Sequence, residues 1–280
     1  MIPDPFWTPL LLKMLATMSV VITAALIAER AGPFLGALIA CLPVSAGPAY
    51  VLLALQADDR FIAASALASA AAVVATAGFL LAYTFVAPRA GVLASIFGGL
   101  VVWFLLAVPI ELVSWTILRV AAANAAIFAL AIGLTRRVVA EAPPAGARRR
   151  LADLLASAAG VGLLVAGVVT LSARLGPSLT GMAALFPVTF SSLALVVHPR
   201  LGGRIAAVTM ASALRGMVGF VLGLLVLHGL AVPLGTPAAL VAALLTMLAW
   251  SGALILLRRR SARLRGGVAA ASRPGVLQES

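Results

Sequence analysis

Residues 32–44 read GPFLGALIACLPV, and residues 176–188 read GPSLTGMAALFPV. When the second stretch is moved back by 144 positions, the identical residues are Gly32, Pro33, Leu35, Ala40, Pro43 and Val44. Two arginine pairs coincide in the same register, Arg30 with Arg174 and Arg60 with Arg204. Matching alanines mean little in an apolar chain, but matching prolines, glycine and arginines indicate an internal repeat. Beyond about residue 70 the match fades.

The chain around this repeat is too apolar for a soluble protein. Of its 280 residues, 63% are hydrophobic and only 10% are charged, and the mean hydropathy is +1.17. Soluble domains carry about 25% charged residues because their surface must be hydrated. The sequence therefore predicts an all-α polytopic membrane protein that is surrounded by the lipid bilayer.

Apolar runs between charges and Gly-Pro pairs predict nine transmembrane helices, each near the length of about 20 residues that crosses a bilayer. They cover residues 10–28, 33–56, 61–87, 91–110, 115–135, 152–172, 177–198, 205–230 and 237–257. The stretch 91–135 is too long for one helix, and Pro109 with Glu111 marks its break. The resulting units are a first repeat (1–113), a linking helix (114–135), a basic cytoplasmic linker (136–150), a second repeat (151–257) and a basic disordered tail (258–280).

The basic residues predict the orientation. With loops on alternating faces, one face receives Lys13, Arg60 and Arg174, whereas the other receives fifteen arginines. The positive-inside rule then places the N-terminus outside and the C-terminus in the cytoplasm. Because this topology explains the net charge of +12, nucleic-acid binding is not predicted. The basic tail is either a stop-transfer anchor or a contact for anionic lipid.

The number of helices between the repeats determines their relative orientation. Each repeat has four helices, and the linking helix lies between them, so the second repeat enters the membrane from the opposite side. Such inverted-topology repeats are typical of secondary transporters. The alternative is a duplication that is kept only for packing.

The segment Gly181–Phe190 (GMAALFPVTF), with Gly32–Ser45 as its counterpart in the first half, resembles the GlpM-like group of small bacterial membrane proteins. Those proteins are about one repeat long and have a Pro-containing apolar motif followed by small hydroxyl residues. The resemblance is sharpest over residues 32–45 and 176–190. It implies two such units fused in one chain, in a bacterial cytoplasmic membrane, and it supplies an architecture rather than a substrate.

The second helix of each repeat carries prolines and small polar residues near its middle. The candidate binding residues there are Pro43, Ser45, Gly47 and Pro48 in the first half, and Pro187, Thr189, Ser191 and Ser192 in the second. A proline inside a helix leaves a carbonyl unpaired, and in hydrocarbon that carbonyl must be satisfied by protein, water or ligand. Two matching breaks predict an internal cavity lined by hydroxyl groups. The alternative is two proline kinks healed by serine and threonine side chains.

Arg215 lies eleven residues into the predicted span 205–230, near the bilayer midplane, and its repeat counterpart is Ala71. The acids of the chain lie in loops, termini or span ends: Asp4, Glu29, Asp58, Asp59, Glu111, Glu141, Asp153 and Glu279. A buried arginine keeps its charge and needs an acceptor. Arg215 is therefore predicted to bind a small anionic or amphipathic anionic substrate. Alternatively, it binds the freed carbonyls of a broken helix or snorkels to the interface.

These features together predict a transporter that works by alternating access around the two broken helices. The rival hypothesis is a non-transporting structural or accessory subunit of a cell-envelope assembly. No cofactor motif, metal-ligand spacing or oligomeric state is predicted, and an enzyme is not expected because no acid, base or metal ligands cluster at one depth. Cys41 is the single cysteine, and the separated His198 and His228 are expected to be hydrogen-bonded residues near the interfaces.

Overall fold

A computed structural model of the chain describes residues 30–42, 57–140 and 187–271, with isolated positions at 19, 23, 26, 27, 50, 51, 53 and 54. Every element in these ranges is a helix. The helices are α1 (Pro33–Ala40), α2 (Asp59–Val86), α3 (Val92–Glu111), α4 (Ile117–Ala140), α5 (Val188–Leu201), α6 (Gly203–Leu234) and α7 (Thr236–Ala271). Of these, α2, α3, α4, α6 and the Thr236–Ser261 part of α7 are long and apolar enough to cross a membrane.

These five helices lie within a few residues of five predicted spans, which confirms an α-helical membrane protein. The outward faces agree, since Leu93, Phe97 and Leu105 of α3 are exposed by 73%, 69% and 68%. A row of exposed large apolar side chains of this kind suits lipid rather than water. The predicted spans 10–28 and 152–172 fall almost wholly outside the described residues.

Two helices continue past the predicted ends of their spans, both at the C-terminal end. The helix α4 continues to Ala140, so the first residues of the predicted linker 136–150 are helical. The helix α7 continues to Ala271, so residues 258–271 are helical rather than disordered. Hydropathy marks where lipid ends, but the backbone stays helical because arginine and alanine are good helix formers. In α4, Arg137 in the last turn also interacts favourably with the helix C-terminus.

Two antiparallel helices, α2 and α6, form the centre of the fold. At one end, the His228 Nδ1 lies 2.9 Å from the Ala63 carbonyl oxygen. At the other end, Thr84 of α2 and Ala207 of α6 line the same cavity. The helix α4 packs against both central helices, and the buried Asn124 of α4 donates from Nδ2 to the Ala70 carbonyl at 2.9 Å.

The helix pair α2–α3 and the helix pair α6–α7 pack in the same register. The helices α2 and α6 begin at Asp59 and Gly203, which are 144 positions apart. The helices α3 and α7 begin at Val92 and Thr236, which are also 144 positions apart. The buried residues of α3 include Ser95, Gly99 and Trp103, and the equivalent residues of α7, Ala239, Ala243 and Met247, are buried too. Corresponding helices thus present corresponding faces to their neighbours.

Candidate functional site

The helix α1 ends against the middle of α6. Its last turn is followed by Cys41, whose Sγ donates to the Ala213 carbonyl oxygen at 3.3 Å. Gly216 allows this approach, because a Cβ at that position would lie 2.8 Å from the Cys41 Sγ and 3.2 Å from the Leu38 Cδ2. The chain therefore leaves α1 directly beside the turn of α6 that contains Arg215.

Tyr50 anchors the chain on α2 after the predicted break in the first half. Its hydroxyl lies 2.8 Å from the Ser69 Oγ. Ser69 and Ala213 are 144 positions apart, so Cys41 and Tyr50 contact equivalent positions of the two central helices. The predicted binding residues between them, Pro43, Ser45, Gly47 and Pro48, lie outside the described residues.

The described part of the second predicted break begins at Pro187. Pro187 is buried and non-helical, and α5 starts immediately after it at Val188. Ser191 and Ser192 of α5 are fully buried, and within the described part of the chain neither Oγ has a hydrogen-bond partner. Thr189 is half-buried. Burying a hydroxyl without a hydrogen-bond partner costs free energy, so packing alone would favour alanine over serine at positions 191 and 192.

The helix α5 contacts α1, α3 and α6. The helices α1 and α5 therefore lie beside one another and share α6 as a neighbour. Of the predicted site, the described helices contain this contact between α1 and α5 and the packing of both on α6. No described contact joins Ser191 or Ser192 to Arg215.

Arg215 is half-buried on α6, and in the described structure its guanidinium has one weak partner, the Ala211 carbonyl at 3.4 Å one turn earlier. The Trp250 Nε1 of α7 donates to the Arg215 carbonyl oxygen at 2.8 Å and fixes the backbone there. The described acids do not reach it. Asp59, for example, binds Thr236, which lies about 30 Å along the helix axis from Arg215.

Chemically, this arrangement offers a half-buried cation on α6 and buried hydroxyl groups on α5 and α6, and both kinds of group can bind an anion. A guanidinium presents several N–H donors in one plane and can hold a carboxylate or a phosphate through two hydrogen bonds. Among the described residues, no group of three or more His, Cys, Asp or Glu side chains could hold a metal ion. The fully buried Ser212 lies on α6 one turn from Arg215, and its Oγ likewise lacks a partner in this part of the chain.

A second polar cluster, which the sequence alone did not reveal, joins α2 to α5. The Tyr83 hydroxyl lies 2.7 Å from the His198 Nδ1, and the tyrosine is fully buried. The tight turn at Gly202, with φ of 89°, brings His198 and α2 together. His198 and His228 each make a hydrogen bond, as expected for both histidines, whereas their position relative to the interfaces stays a prediction. The available signal was Tyr83 itself, since a tyrosine within an apolar span needs a partner for its hydroxyl.

No family model matches the chain, and no curated protein or solved structure shows significant similarity to it.

Proposed function

We propose that the protein is a secondary-transporter-like membrane protein that moves a small anionic or amphipathic anionic substrate past Arg215. The observation that supports this most is a half-buried guanidinium in the middle of α6 whose one described partner is a carbonyl of its own helix. A cation held within the membrane is expensive unless it has a function or a counter-charge. A substrate carboxylate or phosphate would supply that counter-charge.

The substrate would bind where α1 ends, where α5 begins and where Arg215 projects from α6. The support is the close contact of Cys41 with Ala213 and the shared packing of α1 and α5 on α6. Partnerless hydroxyls at Ser191 and Ser192 would add hydrogen bonds to the bound anion. Transporter binding sites are typically formed by helix ends and by unpaired backbone groups near the middle of the membrane.

We further propose nine spans arranged as an inverted repeat, with the N-terminus outside and the C-terminus in the cytoplasm of a bacterial cell. Support for the inversion comes from the antiparallel packing of the equivalent helices α2 and α6 and from helix starts 144 positions apart. Support for the orientation comes from the charges. The described arginines at 89, 136, 137, 200, 204 and 258–260 share one end of the bundle, whereas Asp58, Asp59 and Glu111 lie at the other.

The experiment is an anion-response screen on purified full-length protein. A panel of small carboxylates, phosphates and amphipathic anions is tested for an increase in melting temperature, and the active compounds are then tested for uptake into proteoliposomes. Arg215→Ala should abolish both responses, and Arg215→Lys should restore them only in part because an ammonium cannot offer a planar pair of donors. The matched control is Arg60→Ala, which replaces an exposed arginine in the first turn of α2.

The result that refutes the assignment is an Arg215→Ala variant with an undiminished response to the same anion. A chain that responds to none of these anions but purifies with a stoichiometric protein partner would instead support the accessory-subunit hypothesis.

A further inference from the structure

A cavity of about 360 Å³ opens between α2, α4 and α6, at the N-terminal end of α6. Its polar lining consists of Arg89, Arg204 and the hydroxyl-bearing Thr84. Its apolar lining includes Phe85, Val138 and Val208. A volume of this size is within the range of small-ligand sites, about 300–1,000 Å³. The cavity thus combines two cations with an apolar wall.

The electrostatics of this end of the bundle favour an anion. The C-terminal ends of α2 and α4, the part of α7 at residues 258–260 and the junction of α5 with α6 lie at this end of the bundle, and they carry eight described arginines: Arg89, Arg136, Arg137, Arg200, Arg204, Arg258, Arg259 and Arg260. The acids that the structure describes, Asp58, Asp59 and Glu111, lie at the opposite end. No described carboxylate therefore competes for the two arginines of the cavity.

The apolar wall indicates which kind of anion would bind. Phe85 is 42% exposed at the cavity although it belongs to a membrane-spanning helix, and Val138 of α4 lines the wall beside it. Arg89 uses one nitrogen for the Phe85 carbonyl, at 3.3 Å, which places its guanidinium at the rim and leaves further N–H groups for a ligand. A ligand that fits carries a phosphate at one end and an aliphatic chain at the other.

We propose that this cavity binds an anionic phospholipid, with the head-group phosphate between Arg89 and Arg204 and an acyl chain along Phe85 and Val138. Basic pockets between helix ends at a membrane surface are suited to such head groups. This site is independent of substrate binding at Arg215, because the two use different residues, and Arg204 lies roughly 16 Å from Arg215 along the axis of α6. Failure of one proposal therefore leaves the other intact.

The test measures phosphatidylglycerol retained by the detergent-purified full-length protein, using native mass spectrometry with phosphatidylcholine as the neutral-lipid comparison. Replacing both cavity arginines, Arg89→Gln with Arg204→Gln, should weaken phosphatidylglycerol binding about 25-fold, at roughly fivefold for each arginine. The matched control is Arg259→Gln with Arg260→Gln, which removes two exposed charges from the same end but outside the cavity. At physiological ionic strength, which screens distant exposed charges, the control should keep wild-type affinity.

A third variant tests the apolar wall without changing charge. Val138→Phe should fill part of the cavity and lower phosphatidylglycerol binding. This variant still tests the site if the variant that lacks both cavity arginines fails to fold. Equal losses in the two arginine pairs would overturn the proposal, because binding would then follow diffuse charge. Unchanged phosphatidylglycerol binding in Val138→Phe would also overturn the proposal. If glycerol phosphate bound as strongly as the lipid, the cavity would instead be a site for a soluble anion.

Discussion

Gly216 determines how closely α1 approaches the helix that carries Arg215. In Gly216→Ala, the new methyl group would lie 2.8 Å from the Cys41 Sγ, 3.0 Å from its Cβ and 3.2 Å from the Leu38 Cδ2. Overpacking of this kind costs about 1–3 kcal/mol. Alanine in place of glycine within a helix returns about 0.5–1 kcal/mol through backbone entropy. We expect a net loss of about 1–2 kcal/mol at the contact between α1 and α6.

The single cysteine of the chain reports on this contact directly. Cys41 is only 6% exposed and donates to a backbone carbonyl, so a maleimide should label it slowly in the wild-type protein. If labelling requires local opening of α1, a loss of 1–2 kcal/mol should raise the labelling rate about 5- to 30-fold. The rate is measured by mass spectrometry of the protein in detergent.

The matched control is Gly133→Ala, in which the new methyl group meets nothing within 4 Å. This variant keeps the wild-type labelling rate and gains up to about 1 kcal/mol of stability. The reasoning is refuted if Gly216→Ala labels at the wild-type rate and melts at the wild-type temperature, because α1 would then not depend on a glycine at this contact.

Two further substitutions probe the ends of the central helices. In Gly203→Ala, the new Cβ would collide with the Ala87 carbonyl, a backbone group that cannot rotate away. We therefore expect the free energy of unfolding to fall by about 3 kcal/mol or more, which would be measured as a low yield of monodisperse protein. In Asp59→Ala, the N–H and the hydroxyl of Thr236 lose the carboxylate that now lies 2.9 and 2.5 Å from them, so the melting temperature should fall by the equivalent of about 1–2 kcal/mol. Asp59→Asn keeps an acceptor and should lose less, and equal melting of all three proteins would contradict this role.

The sequence predicted the long helices well because lipid imposes a simple rule. A segment that crosses hydrocarbon must be helical and apolar for about 20 residues. The break between α3 and α4 was predictable as well, since Pro109 and Glu111 interrupt the apolar run and α3 does end at Glu111. The sequence thus located the five long apolar helices of the described residues, but hydropathy carries no information on which faces of these helices meet.

Contacts at positions 144 apart correspond in the structure even where the residues at those positions differ, and the glycines explain why. In the first half, Gly99 of α3 approaches α2, and a Cβ there would lie 3.2 Å from the Phe79 carbonyl oxygen. In the second half, the glycine is on the other helix: a Cβ at Gly223 of α6 would lie 3.0 Å from the Ala243 carbonyl oxygen of α7. Gly223 is the counterpart of Phe79, and Ala243 is the counterpart of Gly99. Each pair needs only one glycine for close approach, so the contact persists while the residue identities do not.

The same equivalence makes the Arg215→Ala experiment interpretable. The counterpart of Arg215 is Ala71, which is fully buried on α2, so this position of the repeat accommodates an alanine. The arginine side chain contributes one described hydrogen bond of 3.4 Å within its own helix, and Trp250 donates to the backbone of residue 215, which the substitution leaves in place. Its loss should therefore cost about 1 kcal/mol or less, a shift of about 2–4 °C in melting temperature. If Arg215→Ala instead aggregates or melts far below this range, the guanidinium is a structural element of the bundle, and a lost anion response would follow from misfolding rather than from a missing counter-charge.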